Sequence, residues 1–129
     1  MNQERVLKIL LVFLGLLFTA VIIPLVTSSS LWHATQSEDV EAMLLSLYVT
    51  LGIFLLIAAR NPSANRSLIA FTAWSSIAHA AVMVLQSIQN PGARGQLLGA
   101  SGFLVVIGVA LIAFSPAKHS IDRVPAASA

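Results

Sequence analysis

The chain has 129 residues, 57% of them hydrophobic and 9% charged, with a formal net charge of +2. A soluble domain carries roughly a quarter charged residues, so this chain cannot cover a water-facing surface, and a bilayer is its natural solvent. It has no cysteine, which excludes disulfides, thiolate metal sites and thiol redox chemistry. No basic run points to nucleic acid.

The length suits one domain spanning residues 1–129. A helix needs ~20 apolar residues to cross ~30 Å of hydrocarbon at ~1.5 Å per residue. Four stretches satisfy this. The first runs from about Val6 to Val26, with Lys8 snorkelling from its inner end. Its apolar run of ~18 residues exceeds a signal-peptide core, and Trp32 stands where a cleavage site needs a small residue. Glu38, Asp39 and Glu41 precede the second helix. Carboxylates are favourable there, and Thr35 with Glu38 has capping-box spacing. An external cation site is the alternative reading of the same three.

The second helix runs from about Val40 to Ala59 and stops at Arg60-Asn61-Pro62-Ser63, because proline restricts the residue before it. The third runs from about Ser67 to Ile88, and Asn90-Pro91-Gly92 turns the chain after it. The fourth, about Leu97 to Phe114, carries no charge and is closed by Ser115-Pro116. Residues 116–129 are polar and small and are expected to fray. Short links between consecutive helices predict an all-α, integral membrane, up-down four-helix bundle.

Lys and Arg favour the cytoplasmic side of short loops. With the N-terminus inside, Arg5, Lys8, Arg60, Arg66, Lys118 and Arg123 are all internal and only Arg94 is external. Both termini are therefore expected in the cytoplasm. Asn65-Arg66-Ser67 matches a glycosylation pattern but falls on the wrong side to be used.

On a helical wheel of the third segment, Thr72, Ser75, Ser76, His79 and Gln86 gather within about 100° of arc, with Met83 among them and Trp74 roughly opposite. The stripe should face the bundle. His79 is about 18 Å deep by helix rise, and counting to that depth brings the other helices to Thr19, Tyr48, and Ser101 with Gly102. One reading is polar glue, with Ser and Thr bonding their own helix and neutral His79 bonding Tyr48. The other is a pocket for a small apolar or lipid-like ligand built from His79, Tyr48, Ser75, Ser76 and Thr72, since ionisable residues in membranes are functional candidates.

Gly95, Gly99 and Gly102 have small-xxx-small spacing, which predicts close helix packing inside the bundle or in a homo-oligomer. His33 and His119 lie near opposite faces and cannot join His79, so one chain lacks a second axial ligand for a bis-histidine haem. No metal site and no cofactor are expected. Ser75 or Ser76 can reach His79, but no carboxylate at that depth would orient the base, so the chain is not read as an enzyme.

The block LGIFLLIAARNPSANRSLIAFTAWSSIAHAAVMVLQSI, with the opening NQERVLKILLVFLGLLF, resembles a family of small four-span bacterial membrane proteins of unknown function. That resemblance implies a bacterial inner (plasma) membrane location and supplies no activity. The size is also similar to small multidrug exporters, which rely on a carboxylate buried in the first helix. Here Glu4 precedes that helix and Thr19 is its polar residue near the midplane. The expected function is an accessory subunit or ligand-binding module in the bilayer, alone, as a homo-oligomer or within a larger membrane complex. A small proton-coupled transporter using His79 is the alternative.

Overall fold

The computed structural model describes residues 2–27 and 36–116, the side chains of Leu25 and residues 36–41 excepted. Every regular element among them is helical: α1 (Gln3–Ala20), α2 (Ile22–Thr27), α3 (Gln36–Ala58), α4 (Arg66–Gln89) and α5 (Arg94–Phe114), with a 3₁₀ turn at Pro91–Ala93 before α5. The capping box at Thr35, the acidic cluster at Glu38, Asp39 and Glu41, and the expectations for Trp32, His33, His119 and the tail lie outside what is described.

The first span is not the unbroken helix expected over Val6 to Val26. Pro24 has no N–H to offer the Ala20 carbonyl, and its ring crowds that carbonyl. The helix breaks at Val21, whose N–H turns back to the Phe18 carbonyl at 3.3 Å. The other helices extend beyond the expected bounds at their starts, α5 by three residues (94 against 97), as the 3₁₀ turn feeds straight into it.

The turn between α3 and α4 is organised by Asn61, which suits it because asparagine bonds local backbone. Its Oδ1 accepts from Ser63 Oγ at 2.8 Å and from the Ala64 N–H at 3.3 Å, while Asn65 Nδ2 donates to its carbonyl at 2.9 Å. Pro62 is buried beneath. At the other end, Arg94 Nε donates to the Ser87 carbonyl at 3.2 Å, a cation placed where the C-terminal carbonyls of α4 gather negative potential.

Two extensive seams hold the helices, α1 along α3 and α4 along α5. Their buried residues recur at three- and four-residue steps, which place them on one helix face. On α1 these are Leu7, Leu11, Leu14 and Phe18; on α4, Ile69, Ala73, Ser76 and Ala80; on α5, Ser101, Leu104, Gly108 and Leu111. The pairs meet each other lightly through α1 and α5, and α3 barely touches α4.

Small residues set the seam distances. A Cβ built on Gly15 would lie 3.0 Å from the Gly52 carbonyl, and one on Gly52 would lie 2.8 Å from the Gly15 carbonyl and 2.7 Å from the Thr19 nitrogen. Across the other seam, a Cβ on Gly108 would lie 2.8 Å from the Ala73 carbonyl. Gly95, Gly99 and Gly102 do not do this within the chain. A Cβ on any of them meets nothing within 4 Å, because that face of α5 points away from α4.

Outside the seams the molecule is coated with large apolar side chains, among them Phe13, Leu47, Phe71, Trp74 and Val106. The segments Gln3–Pro24, Arg66–Gln89 and Pro91–Phe114 are each long and apolar enough to cross a membrane, and α3 carries a shorter apolar stretch, Ala42–Ala58.

Candidate functional site: a cleft between α3 and α4

Where α3 and α4 part, they enclose a cleft of about 370 Å³. This is within the ~300–1,000 Å³ range of small-molecule sites. Leu44, Leu47, Leu51 and Phe54 form the α3 wall, and Leu68 and Phe71 face them from α4. Leu47, Phe54 and Phe71 are exposed, so the cleft opens sideways through an apolar rim.

The polar groups of the cleft form one band. Tyr48 and Thr50 come from α3, and Ser75, Ser76 and His79 from α4. Tyr48 Oη and His79 Nδ1 are 3.1 Å apart, a hydrogen bond that joins the two helices across the cleft. The rings sit edge to face at 5.9 Å, and Phe18 of α1 packs edge-on against the other side of Tyr48 at 5.2 Å. Phe18 thus braces the tyrosine from the tight α1–α3 seam. Its position, one residue before Thr19, was the signal available in the sequence.

The hydroxyls turn inward to their own helices. Ser75 and Ser76 both donate to the Thr72 carbonyl, at 3.1 and 2.7 Å, and Thr50 donates to the Ser46 carbonyl at 3.0 Å. Serine and threonine in apolar helices satisfy themselves this way. Thr72 is fully buried, donates to the Leu68 carbonyl at 2.9 Å, and does not border the cleft. Of the five residues expected to share a pocket, the structure gathers four and assigns Thr72 to the interior.

Other members of the expected layer separate. Gln86 is exposed, Gly102 faces open space, and Ser101 is buried with its hydroxyl on the Leu98 carbonyl. Thr19 Oγ1 is buried against Gly52 and has no hydrogen-bond partner among the described residues. The sequence did not single out the apolar walls, since Leu, Phe and Ile at helical spacing read equally as core or lipid-facing.

Among the described residues, no Asp, Glu, Lys or Arg lines the cleft. Among the described residues, no group of three or more His, Asp or Glu is placed to hold a metal ion. The geometry therefore offers shape, an apolar lining and a hydrogen-bonding band.

No curated protein and no solved structure matches this chain. A family model matches residues 2–128, nearly the whole chain, and its description is a family of unknown function (DUF6632). By that match the chain belongs to this family, and all the helices described above lie within the matched region.

Proposed function

We propose that the protein is a multi-pass component of a bacterial inner membrane that binds a small apolar or lipid-like molecule in the α3–α4 cleft. The observation that carries this reading is the Tyr48–His79 hydrogen bond at the edge of a laterally open apolar cleft. Four spans with both termini in the cytoplasm fit the distribution of Lys and Arg. The coat of exposed Leu, Ile, Val and Phe supports insertion, since water-exposed surfaces rarely carry such contiguous apolar area. Binding without catalysis fits a lining that, among the described residues, has no carboxylate to orient His79 as a base.

The exposed glycines Gly95, Gly99 and Gly102 support a homo-oligomer or a place in a larger membrane complex, where another helix would approach that face of α5. A small proton-coupled transporter is the second reading, favoured by a titratable His79 half-buried beside an open cleft. A pH-driven flux abolished by His79→Gln would establish it.

Native mass spectra of protein in mild detergent, compared with His79→Ala, test the binding reading. A bound small molecule present in the first and lost in the second supports it and supplies the ligand's mass. A solid apo spectrum in both, with only stability changed, means the pair holds helices together and nothing more.

A further inference from the structure

We infer, on the basis of the binding reading above, that the cleft selects a neutral amphiphile whose head is a hydroxyl group. The hydrogen-bond chemistry of the band leads there. Ser75, Ser76 and Thr50 have their hydroxyl hydrogens engaged by backbone carbonyls, so toward the cleft they can only accept. Among the described residues, Tyr48 and His79 have no hydrogen-bond partner except each other.

Their bond has two neutral forms, and both leave one donor. If Tyr48 O–H donates to Nδ1, the ring proton is on Nε2, and Nε2–H is free. If Nδ1–H donates to Tyr48 Oη, the phenolic hydrogen is free. The band thus presents one donor hydrogen beside several acceptor oxygens. A hydroxyl head satisfies both, accepting from the pair and donating to a serine or threonine oxygen. An ether or ester accepts but has nothing to donate.

Charge and depth narrow the choice further. Among the described residues, no ionised side chain lines the cleft to pair with a charged head. His79 lies thirteen residues into α4 (66 to 79), about 20 Å by helix rise. An unpaired charge at that depth is costly. The polarity also runs opposite to that of a leaflet lipid. Phe54, Leu68 and Phe71 lie between the polar band and the Asn61–Asn65 turn. A phospholipid anchored on that side would put its head where these apolar side chains are. An ordinary acyl tail would fill the volume but leave the donor without a partner, which is unfavourable in hydrocarbon.

Native mass spectrometry of nanodisc-embedded protein, titrated with four probes of equal chain, tests this. The probes are lauryl alcohol, lauryl methyl ether, lauryl sulfonate and lauryl trimethylammonium. The unaltered protein should bind the alcohol about fivefold more tightly than the ether, the worth of one net hydrogen bond of ~1 kcal/mol, and the charged heads more weakly than either. In the double variant Tyr48→Phe with His79→Ala, alcohol and ether should both bind about fivefold more weakly, having lost the donor they accept from, while the alcohol keeps its lead through the serine and threonine oxygens. Leu51→Trp, which fills the cleft, should bind none, with helical circular dichroism checking that each variant folds.

An ether equal to the alcohol, or a charged head binding tightest, overturns the hydroxyl inference while block by Leu51→Trp leaves the cleft as a binding site. Binding unchanged by Leu51→Trp, or no probe displacing bilayer lipid, overturns both. The headgroup ranking is read on the unaltered protein, so it decides even if the double variant does not fold.

Discussion

Gly15 and Gly52 face each other so closely that a Cβ on either would lie within 3.0 Å of the other's carbonyl oxygen. Two backbones in direct contact leave no flexible side chain to move aside. Gly52→Ala should therefore force α1 and α3 apart and cost about 1–3 kcal/mol, as overpacking does. Gly102→Ala, with open space around it, should change stability by no more than about 0.5 kcal/mol. Thermal unfolding of both in the same detergent checks the contrast, and equal losses would count against this seam.

Thr19 gives a different expectation at the same seam. Its buried Oγ1 has no partner among the described residues. An unsatisfied buried hydroxyl costs about 1–3 kcal/mol, comparable to the packing its side chain contributes. Thr19→Ala should thus leave stability within about 1 kcal/mol of the parent. A larger loss on denaturation would show that the hydroxyl has a partner in the membrane.

Tyr48→Phe removes the Oη–Nδ1 bond but keeps the ring that Phe18 packs against. Hydrogen bonds between membrane helices are worth ~0.6 kcal/mol on average. The variant should unfold at nearly the parent's temperature and keep the preference for alcohol over ether, since neutral His79 still offers one N–H and the serine and threonine oxygens still accept. A large fall in melting temperature would instead make the pair chiefly a structural tie.

The absence of native cysteine makes topology directly measurable. Gly92→Cys and Ser63→Cys each introduce one thiol at an exposed turn. With both termini in the cytoplasm, a membrane-impermeant maleimide added to intact cells should label the first and not the second. The opposite pattern inverts the orientation.

The helices were legible because length and apolar content, the two properties a helix needs to be able to cross hydrocarbon, are read directly from the residues. Pro24 was the exception: a run can be apolar throughout and still lose its helix at Val21, since hydropathy does not register a missing N–H. The polar pair was legible from depth alone, as Tyr48 and His79 fall at matching heights on adjoining helices and do bond. The packing glycines were not. Gly95, Gly99 and Gly102 have the recognisable spacing but face outward, whereas Gly15, Gly52 and Gly108 make the close approaches. Spacing says that a backbone can be approached, and which face has a neighbour depends on the whole bundle. For the same reason the stripe was seen, but its division, with Thr72 inside and Ser75 at the cleft, was not.

The weak junction between α3 and α4 has a consequence for how the polypeptide can be assembled. The strong seams each lie wholly on one side of the Asn61–Asn65 turn, α1 with α3 before it and α4 with α5 after it. A ribosome would release a complete two-helix unit before the second is made, and each could close its own contacts first. Severed at the turn and co-expressed, residues 1–61 and 62–129 should find each other again in the bilayer, rejoined across α1–α5 and the tyrosine–histidine clasp.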